Sequence, residues 1–181
     1  MAALERFKDV DTANTDVPPH ATHVVTALYA EHGLRLVRLA VIMLGDRATA
    51  EDVVQDAFLG LYRRWDSLTD TSHPLAYVRA SVMNGCRSAL RRRSRRPPIS
   101  LFTEPPAESA EARALVSEEY RAVVAAIRRL PARQREALLL RYYLDMTEDE
   151  TARAMGVSRG TVKSATSRGL AAIGRILKEE S

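Results

Sequence analysis

Residues Thr147 to Leu170 read TEDETARAMGVSRGTVKSATSRGL, two short helical stretches around a glycine. Thr147 with Glu150 three residues on is the pattern of a helix-opening capping box. Small Ala152 permits a close helix crossing, and Gly156 suits the left-handed residue that ends a helix. Ser158 is then placed to cap the next helix, in which Val162, Ile173, Ile176 and Leu177 can share an inward side. That leaves Arg159, Thr161, Lys163, Ser164, Ser167 and Arg168 facing out. Hydroxyls and cations on the second helix of a helix-turn-helix are the groups that enter a DNA major groove. The competing reading is an ordinary helical hairpin with a solvated basic face.

Working outward, the charge is distributed in blocks. Residues 1–19 hold two basic groups against four acidic (net −2), and residues 20–96 hold twelve against seven (+5). Residues 97–120 hold one against five (−4), and residues 121–181 twelve against seven (+5). Two basic blocks around an acidic one point to two polyanion-binding surfaces joined by a segment that avoids DNA. Cys86 is the only cysteine, which excludes an internal disulfide and fits a reducing cytoplasm. The N-terminus lacks a basic-then-apolar signal, and no apolar run approaches the roughly 18 residues that cross a bilayer. A soluble cytoplasmic protein is expected.

The periodicity predicts an all-α chain of two small helical domains joined by an extended acidic linker. Residues 1–19 read as a flexible tail, 20–96 as the first domain, 97–115 as the linker and 116–181 as the second domain. Within the first domain, apolar residues from His23 to Leu44 predict one long or interrupted helix, with Gly33 as its weak point. A second helix is expected to open at Thr49 as cap and to bury Val53, Val54, Ala57, Phe58, Leu61, Tyr62 and Trp65. DSLTDTSH (66–73) reads as a loop, and Pro74 starts a third helix that ends in Arg91, Arg92, Arg93, Arg95 and Arg96. Pro97-Pro98 stops it. The second domain predicts helices over 117–129 and 132–143, broken at Pro131, before the pair already read.

Several constellations carry possible chemistry. Glu51, Asp52, Gln55 and Asp56 form an acidic helix face, which alone is most simply a solvated surface near a helix start. Combined with a basic helix downstream in the same domain, it points to a basic protein partner beside a nucleic acid. Arg79, Asn84, Arg87 and Arg91 lie near one helical stripe, and Asn and Arg read base edges as well as phosphates. The polar loop beside them could hold an extruded base, or be a plain connection. His20, His23 and His32 are spaced loosely for a metal, with no fourth ligand evident. No phosphate loop, nucleophile elbow or cysteine metal pair is present, so neither active site nor cofactor is assigned.

These residues resemble bacterial RNA polymerase sigma factors of the extracytoplasmic-function (ECF) type, with the actinobacterial SigE-like subgroup as a candidate placement. AEDVVQDAF (50–58) looks like the region that docks on core polymerase, and AYVRASVMNGCRSALRRRSRR (76–96) like the helix that melts promoters and reads the minus-ten element. LPARQREALLLRYYLDMTEDETARAMGVSRGTVKSATSRGL (130–170) is similar to the domain that reads the minus-thirty-five element. The resemblance implies polymerase contacts at Asp52, Gln55, Asp56 and Leu59. It implies minus-ten contacts at Ser67, Thr69, Thr71, Arg79, Asn84, Arg87 and Arg91. Arg159, Thr161, Lys163, Ser164, Ser167 and Arg168 would face minus-thirty-five DNA. Ala165 stands where many relatives carry a polar or basic group, which would remove one DNA contact, and Thr166 where an apolar residue is common. Core polymerase and promoter DNA are the implied partners, with room for an anti-sigma protein. A stand-alone operator-binding dimer and a protein-only adaptor are the rival readings.

Overall fold

A computed structural model describes residues 19–67, 73–95 and 118–179. Among them are seven α-helices and no strand: α1 Pro19–Leu44, α2 Arg47–Arg63, α3 Pro74–Arg95, α4 Glu118–Arg129, α5 Ala132–Leu138, α6 Glu148–Met155 and α7 Arg159–Glu179. A single 3₁₀ turn, Trp65–Ser67, follows α2. No helix among the described residues is long and apolar enough to cross a membrane. The expected tail and linker lie outside the described residues, apart from Pro19 at the start of α1.

α1 runs without interruption through Gly33, which is buried and helical. Its end is set by Gly45, whose φ of 74° turns the chain left-handed while its N–H reaches the Val41 carbonyl at 2.8 Å. The next residue starts α2. Asp46, in extended conformation, accepts from the Thr49 N–H at 2.9 Å and from the Thr49 hydroxyl. The expected cap is therefore displaced: Thr49 is inside the first turn and donates, and Asp46, three residues earlier, is the cap. An aspartate preceding the apolar run was the available signal, because a carboxylate satisfies the orphan N–H groups and suits the helix dipole.

The first domain is α1, α2 and α3 around Phe58, Leu36, Leu39, Met43, Leu61, Met83, Val54 and Val82, all essentially solvent-free. Each such side chain contributes on the order of 2 kcal/mol on burial. Tyr29 meets Phe58 edge to face with ring centroids 5.0 Å apart. Gly85 sets how closely α2 and α3 approach, since a Cβ there would lie 2.7 Å from Val53 Cγ1. Cys86 is buried in the same layer, and its thiol pKa is pushed up to about 12, chiefly by burial and secondarily by the Glu136 carboxylate.

In the second domain, α5 begins after Pro131 and then widens into a π-helical turn over Leu139–Tyr143. The widening places Leu139, Leu140, Leu144 and Met146 all inward, and it hands over to Asp145, which takes a left-handed φ of 54°. α6 and α7 follow. Thr147 and Glu150 form the full capping box, with Thr147 N–H donating to Glu150 Oε2 at 2.7 Å and Glu150 N–H to Thr147 Oγ1 at 3.2 Å.

The two domains touch directly. The last carbonyls of α1 are served by arginines from elsewhere: Met43 accepts from Arg135 at 2.8 Å, Val41 from Arg128 at 3.4 Å and Leu44 from Arg93 at 3.3 Å. Cations at a helix C-terminus satisfy its orphan carbonyls and complement its dipole. Two of these three donors come from the second domain, so α1 is finished by residues about 90 positions downstream.

Asp46→Ala should cost about 1 kcal/mol of stability by urea unfolding. Hydrogen bonds from Thr49, side chain first and backbone second, hold the Asp46 carboxyl below its usual range. A depressed folded-state pKa stabilises above the ordinary carboxylate value, so the difference between wild type and variant should shrink as pH falls through it.

Candidate nucleic-acid interfaces

The second domain presents α7 on a defined turn. Gly156 closes α6 at φ 64°, ψ 39°, and Ser158 Oγ accepts from the Thr161 N–H at 3.2 Å, so both helices keep their expected caps. Val162, Ala165 and Gly169 form the buried stripe of α7. Ile173, Ile176 and Leu177 continue it half-buried. A Cβ at Gly169 would come within 2.9 Å of Leu138 Cδ1, so the α5–α7 crossing leaves no space for a side chain there.

On the opposite side Arg159, Lys163, Ser164, Ser167 and Arg168 are exposed, and Thr161 is half-buried. Arg168 folds back on its own helix, donating to the Ser164 carbonyl at 3.1 Å. Arg159 pairs with Asp149 at 3.2 Å and Glu148 at 3.7 Å on α6. Ala165 is only 4% exposed and points inward, so it is not a lost DNA contact; a small residue is what the crossing demands. Thr166 is half-buried, with a hydroxyl lacking a protein partner.

The first domain carries two faces. On α2, Asp52 and Asp56 are exposed with Gln55 and Leu59 half-buried beside them, a single stripe at spacings of three and four. A groove of about 400 Å³ between α2 and α3 is lined by Asp56, Arg63, Arg64, Tyr77, Ser88 and Arg92. On α3, Asn84 and Arg91 are exposed. Ser67 is exposed with its hydroxyl on the Arg64 carbonyl at 3.0 Å, while Thr69 and Thr71 lie outside the described residues.

Arg79 and Arg87 differ from the free cationic stripe that the sequence predicts. Arg87 donates through Nε at 2.9 Å and Nη2 at 2.7 Å to Glu136 Oε1, through Nη2 to the Ala154 carbonyl at 2.6 Å, and through Nη1 to Asn84 Oδ1 at 2.7 Å. Glu136 is 4% exposed; burial raises its pKa, with the Arg87 bond opposing the rise. Arg79 is half-buried, losing basicity first to burial, with Glu150 and Asp145 of the second domain acting the other way. Arg35 of α1 completes the cluster, bonding the Tyr143 carbonyl and Asp145 Oδ2 (2.7 Å) and lying 5.5 Å over the Tyr143 ring. Sequence reasoning missed Glu136, Asp145 and Arg35. A carboxylate directly before the apolar run Ala137–Leu140 was the one signal available, since buried charges are paired. Among the described residues no cluster of histidines, cysteines or carboxylates could hold a metal.

Residues 28–96 match the Sigma-70 region 2 family, and residues 120–173 match the Sigma-70 region 4 family. The chain is 32% identical over 150 residues to the ECF RNA polymerase sigma factor SigM of Mycobacterium tuberculosis, across 83% of this chain and 75% of that protein. It is 32% identical over 141 residues to the RNA polymerase sigma-E factor of Streptomyces coelicolor, across 75% of this chain and 76% of that one. The sigma factor RpoE of Bartonella quintana, solved with the anti-sigma factor NepR, is similar at a TM-score of 0.68 and 26% identity, over 84% of this chain and 97% of that chain.

Because Gly156 holds a left-handed φ, Gly156→Ala should destabilise the chain by about 1 kcal/mol and Gly156→Asn by less. Chemical denaturation of both variants checks the order.

Proposed function

The chain belongs to the ECF sigma factors, which direct RNA polymerase to initiate transcription, and from that membership we propose which surface does what. The stripe Asp52, Gln55, Asp56 and Leu59 on α2 docks on core polymerase. Residues of α3, namely Arg79, Asn84, Arg87 and Arg91, with Ser67, Thr69 and Thr71 before them, read the minus-ten element as single strand. Arg159, Thr161, Lys163, Ser164, Ser167 and Arg168 on α7 read the minus-thirty-five duplex. The observation that carries the reading is the doubly capped α6–α7 unit, which aims an exposed row of cations and hydroxyls outward while its small residues are spent on packing.

Residues 20–96 and 116–181 act as the two recognition modules, and residues 97–115 tether them. The tether makes the second contact effectively intramolecular, so two weak modules select one site. The protein works without chemistry of its own and acts in the cytoplasm, where polymerase and promoter are. RpoE of Bartonella quintana is seen with an anti-sigma factor. A protein inhibitor of that class is proposed here as well.

Run-off transcription with core polymerase on a genomic promoter library tests the whole reading. Wild-type chain should yield discrete starts, and Asp52→Lys with Asp56→Lys should abolish them and core co-purification without loss of helicity. Unchanged co-purification overturns the α2 assignment. Lys163→Ala should weaken promoter binding by about 1–3 kcal/mol with altered base preference if it reads a base, and uniformly if it touches phosphate.

A further inference from the structure

The groove between α2 and α3 is rimmed by cations that the protein leaves unpaired. Its floor is Val53, Ala57, Gly60 and Gly85, small residues that hollow it to about 400 Å³. The two helices flank it antiparallel: a Cβ at Gly85 would lie 2.7 Å from Val53 Cγ1, and one at Gly60 would lie 3.7 Å from the Tyr77 hydroxyl. Val53 and Gly60 are seven residues apart on α2, so the floor is about 10 Å long. Arg63 and Arg64 line it with Tyr77 at one end, and Arg92 with Ser88 at the other. Asp56 and Ser81 lie between. Among the described residues no hydrogen bond or ion pair engages the side chains of Arg63, Arg64 or Arg92, whereas Arg87, Arg93, Arg128 and Arg135 all donate to protein oxygens.

That layout specifies the chemistry of a ligand. Three guanidiniums against one carboxylate leave the lining with a net charge of +2 (three minus one). The planar donor fork of arginine matches phosphate oxygens, and placing the forks at both ends suits two phosphates held apart. Asp56 between them accepts from a hydroxyl or amine and repels an unbroken polyanion, so a continuous strand fits less well than a short molecule. The Tyr77, Ser81 and Ser88 hydroxyls add donors and acceptors along the same length. The volume lies in the range of small-molecule sites. We propose that this groove binds a small molecule phosphorylated at both ends with hydrogen-bond donors between, the class of the nucleoside bisphosphates, and that occupancy competes with core polymerase because Asp56 belongs to both surfaces. The competition rests on the assignment of the α2 stripe to polymerase given above; the site does not.

Isothermal titration of the full chain with adenosine 3′,5′-bisphosphate as the probe tests the site, and one saturable site is expected. Arg63→Gln with Arg64→Gln removes one end and Arg92→Gln the other. Each variant should bind about tenfold more weakly, and wild type should bind adenosine 5′-monophosphate about tenfold more weakly than the bisphosphate. All three side chains are exposed, so unchanged helicity is expected, and Arg175→Gln, at an exposed position of α7, controls for general charge. An equal loss in Arg175→Gln, or no binding at about millimolar probe, overturns the site. A DNA single strand that binds with the same arginine dependence, and that the bisphosphate does not displace, also overturns it and gives the groove to nucleic acid. Capture of core polymerase reads the competition: bisphosphate at about ten times its Kd should weaken capture of wild type about tenfold, and capture of Arg92→Gln far less. Unchanged capture with the groove filled overturns the competition. Absence of capture before any ligand is added overturns the α2 assignment and the competition with it, and leaves the site standing on its titration.

Discussion

The buried pair between Arg87 and Glu136 organises this molecule. Its partners are 49 residues apart, and its two short bonds join α3 to α5, where the Glu136 carboxylate is buried and the Arg87 side chain is 26% exposed. A carboxylate in an apolar layer is destabilising unless paired and hydrogen-bonded. Glu136 directly precedes the buried run Ala137–Leu140, and the first domain's Arg87 supplies the partner its buried carboxylate needs. The α1 C-terminus repeats the logic with backbone groups, its carbonyls capped by Arg128 and Arg135 from across the same boundary. Polar completion, rather than apolar area alone, decides how the two helical units meet.

That dependence links stability to function. The cations that finish the interface include two that the family resemblance puts against promoter DNA. Under the proposed assignment, the arginines that serve protein carboxylates here are the ones offered to nucleic acid. The exchange is chemically even-handed, since both partners offer anionic oxygens or base acceptors to the same donors. By contrast Arg159, Lys163, Ser164, Ser167 and Arg168 on α7, and Asp52 and Asp56 on α2, are exposed.

Much of this was legible in the sequence. Helix periodicity gave the all-α class, and the Thr147–Glu150, Gly156 and Ser158 signals marked both ends of α6 and the start of α7, because capping is local chemistry between residues three apart. The exposed rows on α2 and α7 followed from the same periodicity. Four features did not. Thr49 was read as a cap when Asp46 fills that role, two polar residues three positions apart competing for one turn. Ala165 was read as a missing contact because family position was used without its facing direction, which the Leu138–Gly169 crossing sets. The π-helical turn at Leu139–Tyr143 and the arginine–carboxylate clasp depend on groups far apart in the chain, and no local pattern encodes which buried charge finds which partner.

The measurement that bears most directly on the central claim is a double-mutant cycle in the full chain, with Arg87→Met, Glu136→Met and the two combined, followed by urea unfolding. A buried pair that joins the domains predicts a coupling of about 1–3 kcal/mol, the double variant being less destabilised than the sum of the singles. Additive effects, with no coupling beyond a few tenths of a kcal/mol, would contradict the account.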